Sequence, residues 1–425
     1  MPPMRPDPPI LRNTPPPALE PLGASGAPVP TGTGWRQPAT LLMIMAAAMQ
    51  LSFASWWALQ YNFAHDMLSF TGREIGIQQS IREIPGFLSF AAVFFLFAMR
   101  EQTFALVSLC LLGLGTAATG YFPTAMGFYI TTFIGSIGYH YYETMHQSLS
   151  LQWLPKKTAP AIMGKILSVG SIAQLGAYAL IFLVGSFFEL SFTTMFLAAG
   201  GATLLMVIFM WTGFPTFPET TPQRRQLILR KRYWLYYMLT FMTGARRQIF
   251  LVFASWMMIE RFGYSFHDIA GLFFINALVV MFAAPKIGQM IGRFGERRAL
   301  QIEYVGLAIV FAVYAFVQNP YIAIALYVLD HMFFSFDIAL KTYFQKIADP
   351  GDIAGTTGVA FTINHIAAVF LPVLFGLLWL VSPAAVFLSG AAMACISLAF
   401  ATLVPYVPKP GQELAWMEKA NVTKH

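Results

Sequence analysis

Residues 240–256 read TFMTGARRQIFLVFASW: two adjacent arginines, Arg246 and Arg247, in a run that is otherwise almost wholly apolar. Whether a chain can carry two permanent charges there depends on the solvent around the run, and composition identifies that solvent. Of 425 residues, 57% are hydrophobic and 11% are charged, whereas soluble proteins carry about 25% charged residues. That is too little polar surface to coat a water-soluble globule, so the chain reads as an integral membrane protein. Within a bilayer every backbone polar group is satisfied inside its own segment, and apolar runs of this length read as helices. The weaker alternating pattern of an outer-membrane barrel is absent.

Twelve segments are long enough to cross a bilayer, for which about 20 residues suffice: 38–62, 75–99, 102–121, 125–151, 159–187, 190–213, 233–258, 266–290, 299–317, 320–346, 355–380 and 383–404. Before them, residues 1–36 are Pro-rich with few large apolar side chains and are expected to be a disordered tail, lacking the apolar core of a signal peptide. The longest internal break, 214–232 (FPTFPETTPQRRQLILRKR), divides the segments into two sets of six, 37–213 and 233–404, followed by a tail over 405–425. Cys110 and Cys395 sit in apolar runs without metal or redox spacing and read as structural thiols.

Basic residues assign the sides. Arg5, Arg12 and Arg36 precede span 1; Arg100 follows span 2, and Lys156 and Lys157 follow span 4. Arg224, Arg225, Arg230, Lys231 and Arg232 fill the central break. Arg293, Arg297 and Arg298 follow span 8, Lys341 and Lys346 end span 10, and Lys409, Lys419 and Lys424 lie in the tail. Only Arg73 and Arg261 fall in the opposite loops. By the positive-inside rule both termini are expected in the cytoplasm, with the protein in a bacterial inner membrane or one derived from it. The net charge of +7 thus reports topology, and nucleic acid is not needed to explain it.

The loop between spans 8 and 9, GQMIGRFGERRAL (288–300), resembles the cytoplasmic loop motif G-x-L-A-D-R-x-G-R-R of the major facilitator superfamily. Gly288, Arg293 and Gly295 match in register, and Arg297 and Arg298 supply the basic end. The family's acidic position is Gly292 here, so the charge-relay role of that acid is not carried over. The first-half copy, FAMREQTFAL (97–106), keeps only Arg100, and span 5 (GSIAQLGAYAL, 170–180) lacks the Gly-Pro signature of drug antiporters. The resemblance implies an all-α membrane protein of twelve helices in two six-helix halves, acting by alternating access as a monomer without a cofactor. It also implies that spans 1, 4, 7 and 10 line a central cavity.

The unusual polar residues fall chiefly on those four spans. An Arg at a helix centre costs about 2.5–3.5 kcal/mol on insertion scales, and Arg246 lies roughly 20 Å along span 7 at 1.5 Å per residue. Its neighbour Arg247 points about 100° away. Either arginine is open to a fixed ion pair with Asp330 in span 10. One carboxylate cannot serve two divergent forks, so the remaining guanidinium reads as a binder of a substrate carboxylate or phosphate. Asp330, Asp337 and Lys341 are expected on one helical stripe bordered by His331, and the two carboxylates read as proton-coupling or gating groups. In span 4, His140, Glu143 and His146 read as a proton site or as a gating network. Gln50, Trp57 and Tyr61 form a row on span 1 that reads as cavity lining, and Gln50 and Trp57, with Asn364 and His365 at mid-depth in span 11, join the arginines as substrate-binding candidates. Arg82 and Glu83 read as a local ion pair near the outer end of span 2.

The expected function is secondary active transport of a small anionic solute, coupled to protons. A metal reading keeps His140, Glu143, His146, Asp330 and His331 as ligands for iron, manganese or zinc, or takes a metal chelate as cargo; a third reading is a non-transporting receptor or scaffold. No P-loop, Ser-His-Asp or H-E-x-x-H spacing is present, so neither direct ATP drive nor an enzyme is expected.

Overall fold

A computed structural model describes residues 32–96, 98–154, 159–218, 229–349 and 352–417. Most of the expected N-terminal tail, Lys156, Lys157, Arg224, Arg225, Lys419 and Lys424 lie outside them. The described chain is all-helical. In order come α1 (Pro38–Leu68), α2 (Gly72–Phe87), α3 (Ala92–Phe95), α4 (Glu101–Thr119), α5 (Ala125–Trp153), α6 (Ala159–Phe187) and α7 (Phe192–Gly213). There follow α8 (Trp234–Gln248), α9 (Ser255–Glu260), α10 (Phe266–Phe294), α11 (Glu296–Phe316), α12 (Pro320–Phe334), α13 (Asp337–Ile347), α14 (Ile353–Val381) and α15 (Pro383–Ala401). Among the described residues nine helical stretches are long and apolar enough to cross a membrane, and the chain is a multi-pass membrane protein.

Short polar loops punctuate the helices. Thr71 and Ser265 each form a reciprocal capping box, with Glu74 and Asp268, at the start of α2 and α10. Thr124, Asn319 and Ser382 cap α5, α12 and α15. Each such cap contributes about 1 kcal/mol and spares orphan N–H groups at the membrane surface.

Three expected spans depart from a continuous apolar rod. Span 2 ends at Phe87, just after Pro85 and Gly86, and resumes only as a short turn and α3. Span 7 is divided by a π-helical stretch, Ile249–Ala254, between α8 and α9. Span 10 breaks at Ser335–Phe336 between α12 and α13. The break turns Asp337 out to Lys341, 2.8 Å away on α13, while Asp330 stays fully buried, so the expected single stripe does not form.

Contacts between α1–α7 and α8–α15 gather at the end opposite the basic loops. There Asn62 donates to the Tyr264 carbonyl (2.8 Å), and Phe192 meets Phe266. On α2, Gly72 and Gly76 lie directly against α14: a Cβ on Gly76 would stand 2.2 Å from the Pro372 oxygen, and one on Gly72 would overlap Trp379. Small residues let helix backbones approach closely, the usual basis of helix packing in lipid. At the basic end the ion pairs tie elements of one set together, as in Arg230–Asp352, Arg232–Asp349 and Lys346–Glu296. The Arg230 guanidinium, hydrogen-bonded to Asp352, holds that carboxyl below the usual carboxylate range.

In the loop motif, Gly295 has φ +80° and makes the turn from α10 to α11, which only glycine adopts without strain. Gly288 lies inside α10 with open space around it, and the Arg297 guanidinium stacks 4.2 Å above the Tyr406 ring. Arg293 and Arg298 are exposed.

Candidate functional site

Four residues of α2, Gln79, Arg82, Glu83 and Gly86, fall at i, i+3, i+4 and i+7 and so share one helix face. All four are buried. Because α2 starts at Gly72, Glu83 lies about 16 Å along it at 1.5 Å per residue. That places Arg82 and Glu83 at mid-depth rather than near the outer end, as the sequence had led us to expect.

This face collects side chains from α1, α5, α8 and α14. Glu83 Oε1 accepts from Arg82 Nη2 and from Gln79 Nε2 (3.1 Å), and Gln79 Nε2 also reaches Gln248 Oε1 on α8 (3.0 Å). The Arg82 guanidinium lies 5.0 Å from the centre of the Trp57 ring on α1. Glu83 Oε2 faces His365 Nε2 of α14 at 3.7 Å. His365 Nδ1 donates to the Phe361 carbonyl one turn back (2.9 Å). His140 of α5 packs its ring 5.5 Å from that of His365. The Arg82 carbonyl approaches His140, yet neither His140 ring nitrogen has a hydrogen-bond partner of acceptable geometry among the described residues. Gly86 makes room for both imidazoles: a Cβ there would lie 2.4 Å from the His365 ring and 2.7 Å from the His140 ring.

The two arginines of the opening run have different surroundings. Arg246 is 3% exposed; its Nη2 lies 3.7 Å from Glu303 of α11, and its guanidinium sits 4.5 Å over the Tyr304 ring. Asp330 is the next acid in this pocket, fully buried with both oxygens lacking a hydrogen-bond partner among the described residues. The ion pair expected with Asp330 is thus made with Glu303. Arg247 is only half-buried. Its Nη2 donates to Asn364 Oδ1 at 2.7 Å, its Nε has no partner, and no carboxylate among the described residues lies within ion-pair distance.

Of the remaining sequence candidates, Gln50 is half-buried on α1 with its Oε1 unpartnered. Glu143 stays accessible to solvent, one turn beyond His140. His146 donates to the Leu42 carbonyl (3.0 Å) and packs on Tyr142 rather than facing Glu143. His331 donates to the Tyr327 carbonyl and is ringed by Phe250, Tyr327 and Phe334. The five residues of the metal reading therefore do not converge. Among the described residues the convergent donor set is Glu83, His140 and His365, with one donor atom from each lying within 4.8 Å of the others. Arg82 bound to Glu83, and Arg247 close by, oppose a bare divalent cation there, and the set reads as a titratable cluster.

Glu83, Gln79, Gln248 and Glu303 were not singled out as site residues by their spacing. An acid inside an apolar span was the available signal for both Glu83 and Glu303, the latter four residues into span 9.

The profile of the Major Facilitator Superfamily matches residues 37–372 and 236–423. Among solved structures, the nucleoside transporter NupG (D323A mutant) superposes with TM-score 0.72 at 17% identity, covering 86% of this chain and 99% of its own. A bacterial homologue of the human lysosomal transporter Spinster, inward-facing and occupied, gives TM-score 0.71 at 12% identity over 87% and 97%. A bacterial metal transporter gives 0.65 at 10% over 87% and 98%. No protein of curated function matches the chain. With the profile running through both helix sets and these structures sharing the fold, the chain belongs to the Major Facilitator Superfamily.

Proposed function

We propose that this protein is a proton-coupled secondary transporter that carries a small anionic solute by alternating access, with Arg247 as the anion-binding group. The observation that carries the reading is the division of labour between the two arginines. Arg246 is matched by Glu303, whereas among the described residues the Arg247 guanidinium keeps an unpartnered Nε and is oriented by Asn364 alone. A planar fork held at one corner and half-buried suits a carboxylate or phosphate. Asn364 supplies a neutral hydrogen-bonding group beside it.

In this reading the twelve spans form two six-helix halves, 37–213 and 233–404. Both termini lie in the cytoplasm at the inner membrane, and the monomer works without a cofactor. Helix contacts gathered at the end opposite the basic loops support a state closed outside and open toward the cytoplasm. Nucleoside, Spinster-like and metal transporters all share this fold, so the fold is neutral as to cargo and the site carries the argument.

The test is solute-driven proton movement in proteoliposomes with an interior pH dye, across panels of organic anions, organophosphates and chelated or free metals. An anion that moves protons in the parent is expected to lose its effect in Arg247→Ala. In Arg247→Lys the half-saturation concentration should rise about tenfold, because the point charge remains and the fork is lost. Transport by Arg247→Ala at the parent's rate would defeat the anion reading. Signals from free metals alone would move the cargo to a cation, and silence across all panels from folded protein would favour a receptor or scaffold.

A further inference from the structure

We propose that Glu83, His140 and His365 form a proton-operated clasp between α2–α5 and α14, which holds the outer ends of these helices together while it carries a proton. The inference rests on the alternating-access reading above and names the proton site of that cycle.

The argument begins with the hydrogen-bond ledger of the three side chains. His365 commits Nδ1–H to the Phe361 carbonyl, so a neutral His365 turns the lone pair of Nε2 toward Glu83 Oε2. Two acceptors then face each other at 3.7 Å in a buried place. That is too long for a hydrogen bond, and among the described residues no side chain donates to either atom. Glu83 cannot turn away, because Arg82 and Gln79 fix its Oε1. His140, 5% exposed with both ring nitrogens unmatched, adds a second imidazole with an unmet requirement. One proton resolves the conflict: on His365 Nε2 it makes a charge-assisted bond to Glu83, which closes to about 2.8 Å.

The placement makes that proton conformational. Glu83 belongs to α2, His140 to α5 and His365 to α14, so the cluster is complete only while α2 and α14 are packed. Gly86, Gly76 and Gly72 put the helices at that distance. Other charged or titratable groups face the cluster from every neighbouring helix: Tyr61 from α1, Arg82 from α2, Tyr139 and Glu143 from α5, and Arg247 from α8. Arg82 is committed to Glu83 and Arg247 to Asn364, and Glu143 is solvent-accessible. The imidazoles remain as the groups that take up and release the proton. By this sign the packed state is favoured at low pH and released as pH rises.

Spin labels on Met126→Cys and Val381→Cys, both exposed at the outer ends of α5 and α14, in a Cys110→Ser/Cys395→Ser background, read the separation directly. Pulsed EPR in nanodiscs at about pH 5 and about pH 9 brackets the ordinary imidazole range near 6.5. The short-distance population is expected to dominate at the acid end and to become the minority at the alkaline end. His365→Gln should lose that dependence while eluting and unfolding like the parent; Glu83→Gln should lose it too, but at a lowered unfolding temperature, because buried Arg82 loses its carboxylate. Gly86→Ala, which keeps every titratable group, should deplete the short distance at both pH values. An unchanged pH response in His365→Gln, or parent-like distances in Gly86→Ala, overturns the clasp, as does saturable Zn²⁺ binding lost in His365→Gln. Distances that move with added solute but never with pH overturn the clasp and leave alternating access standing. Distances that move with neither overturn both.

Discussion

Arg246 occupies a pocket where acid outnumbers base: Glu303 and Asp330 share one guanidinium, and all three side chains are at most 4% exposed. Arg246 balances one of the two carboxylates, so electroneutrality there requires a proton or a further cation for the other. Arg246→Ala would leave two carboxylates buried without a counter-charge. Breaking a buried pair in this way costs about 3–5 kcal/mol. The expected outcome is a marked fall in thermal unfolding temperature, largely restored when Glu303→Gln and Asp330→Asn are added to the same chain. An Arg246→Ala protein that unfolds at the parent's temperature would show that the pocket is not an electrostatic unit. Arg247→Ala, by contrast, should unfold like the parent, since its guanidinium is hydrogen-bonded only to Asn364. The sequence marked both arginines as costly and distinguished two roles. It did not say which arginine took which role, because the choice of Glu303 over Asp330 depends on how α11 docks beside α8.

At the scale of elements, α2 is the helix on which the site and the closure meet. One edge carries Gln79, Arg82, Glu83 and Gly86, and its first turns carry Gly72 and Gly76 against α14. A Cβ on Gly76 would stand 2.2 Å from the Pro372 oxygen and 3.2 Å from the Gly376 Cα, both backbone atoms without a side chain's freedom to yield. Gly76→Ala is therefore expected to push α2 off α14. The distance between labels on Met126→Cys and Val381→Cys should lengthen even at low pH, with uptake lost; a parent-like distance would mean that the helices tolerate the methyl group by sliding. Element placement was largely legible, since long apolar runs between caps such as Thr124, Asn319 and Ser382 leave helices little choice of limits. Pro85 and Gly86 mark the end of α2 in the sequence, but the apolar run 75–99 reads straight through them. The interruptions in spans 7 and 10 carry no such mark. Neither Ile249–Ala254 nor Ser335–Phe336 contains Pro or Gly, so those breaks come from packing between helices. The second break is what separates Asp330 from Asp337.

At the scale of the whole molecule, the contacts that bridge the two helix sets among the described residues gather toward one end, and Glu143 shows what this leaves at the other. It sits on α5 ten residues before Trp153, about 15 Å from the basic end at 1.5 Å per residue, surrounded by helices yet accessible to solvent. A carboxylate at that depth without contact to bulk water would be costly, so its accessibility marks water reaching mid-depth from the basic side. Glu143→Cys, in a background free of Cys110 and Cys395, is expected to react with a membrane-impermeant thiol reagent in inside-out vesicles and to resist it in right-side-out cells. An anionic solute bound at Arg247 should slow that labelling. The reverse sidedness would invert the assigned topology, and equal labelling from both sides would mean that α2 and α14 do not seal the outer end. The sidedness came from Lys and Arg counts in the loops, a property of sequence alone. That one end is closed could not be read there, because the closure rests on glycines of α2 and α14 that lie some 300 residues apart and acquire meaning only when the helices meet.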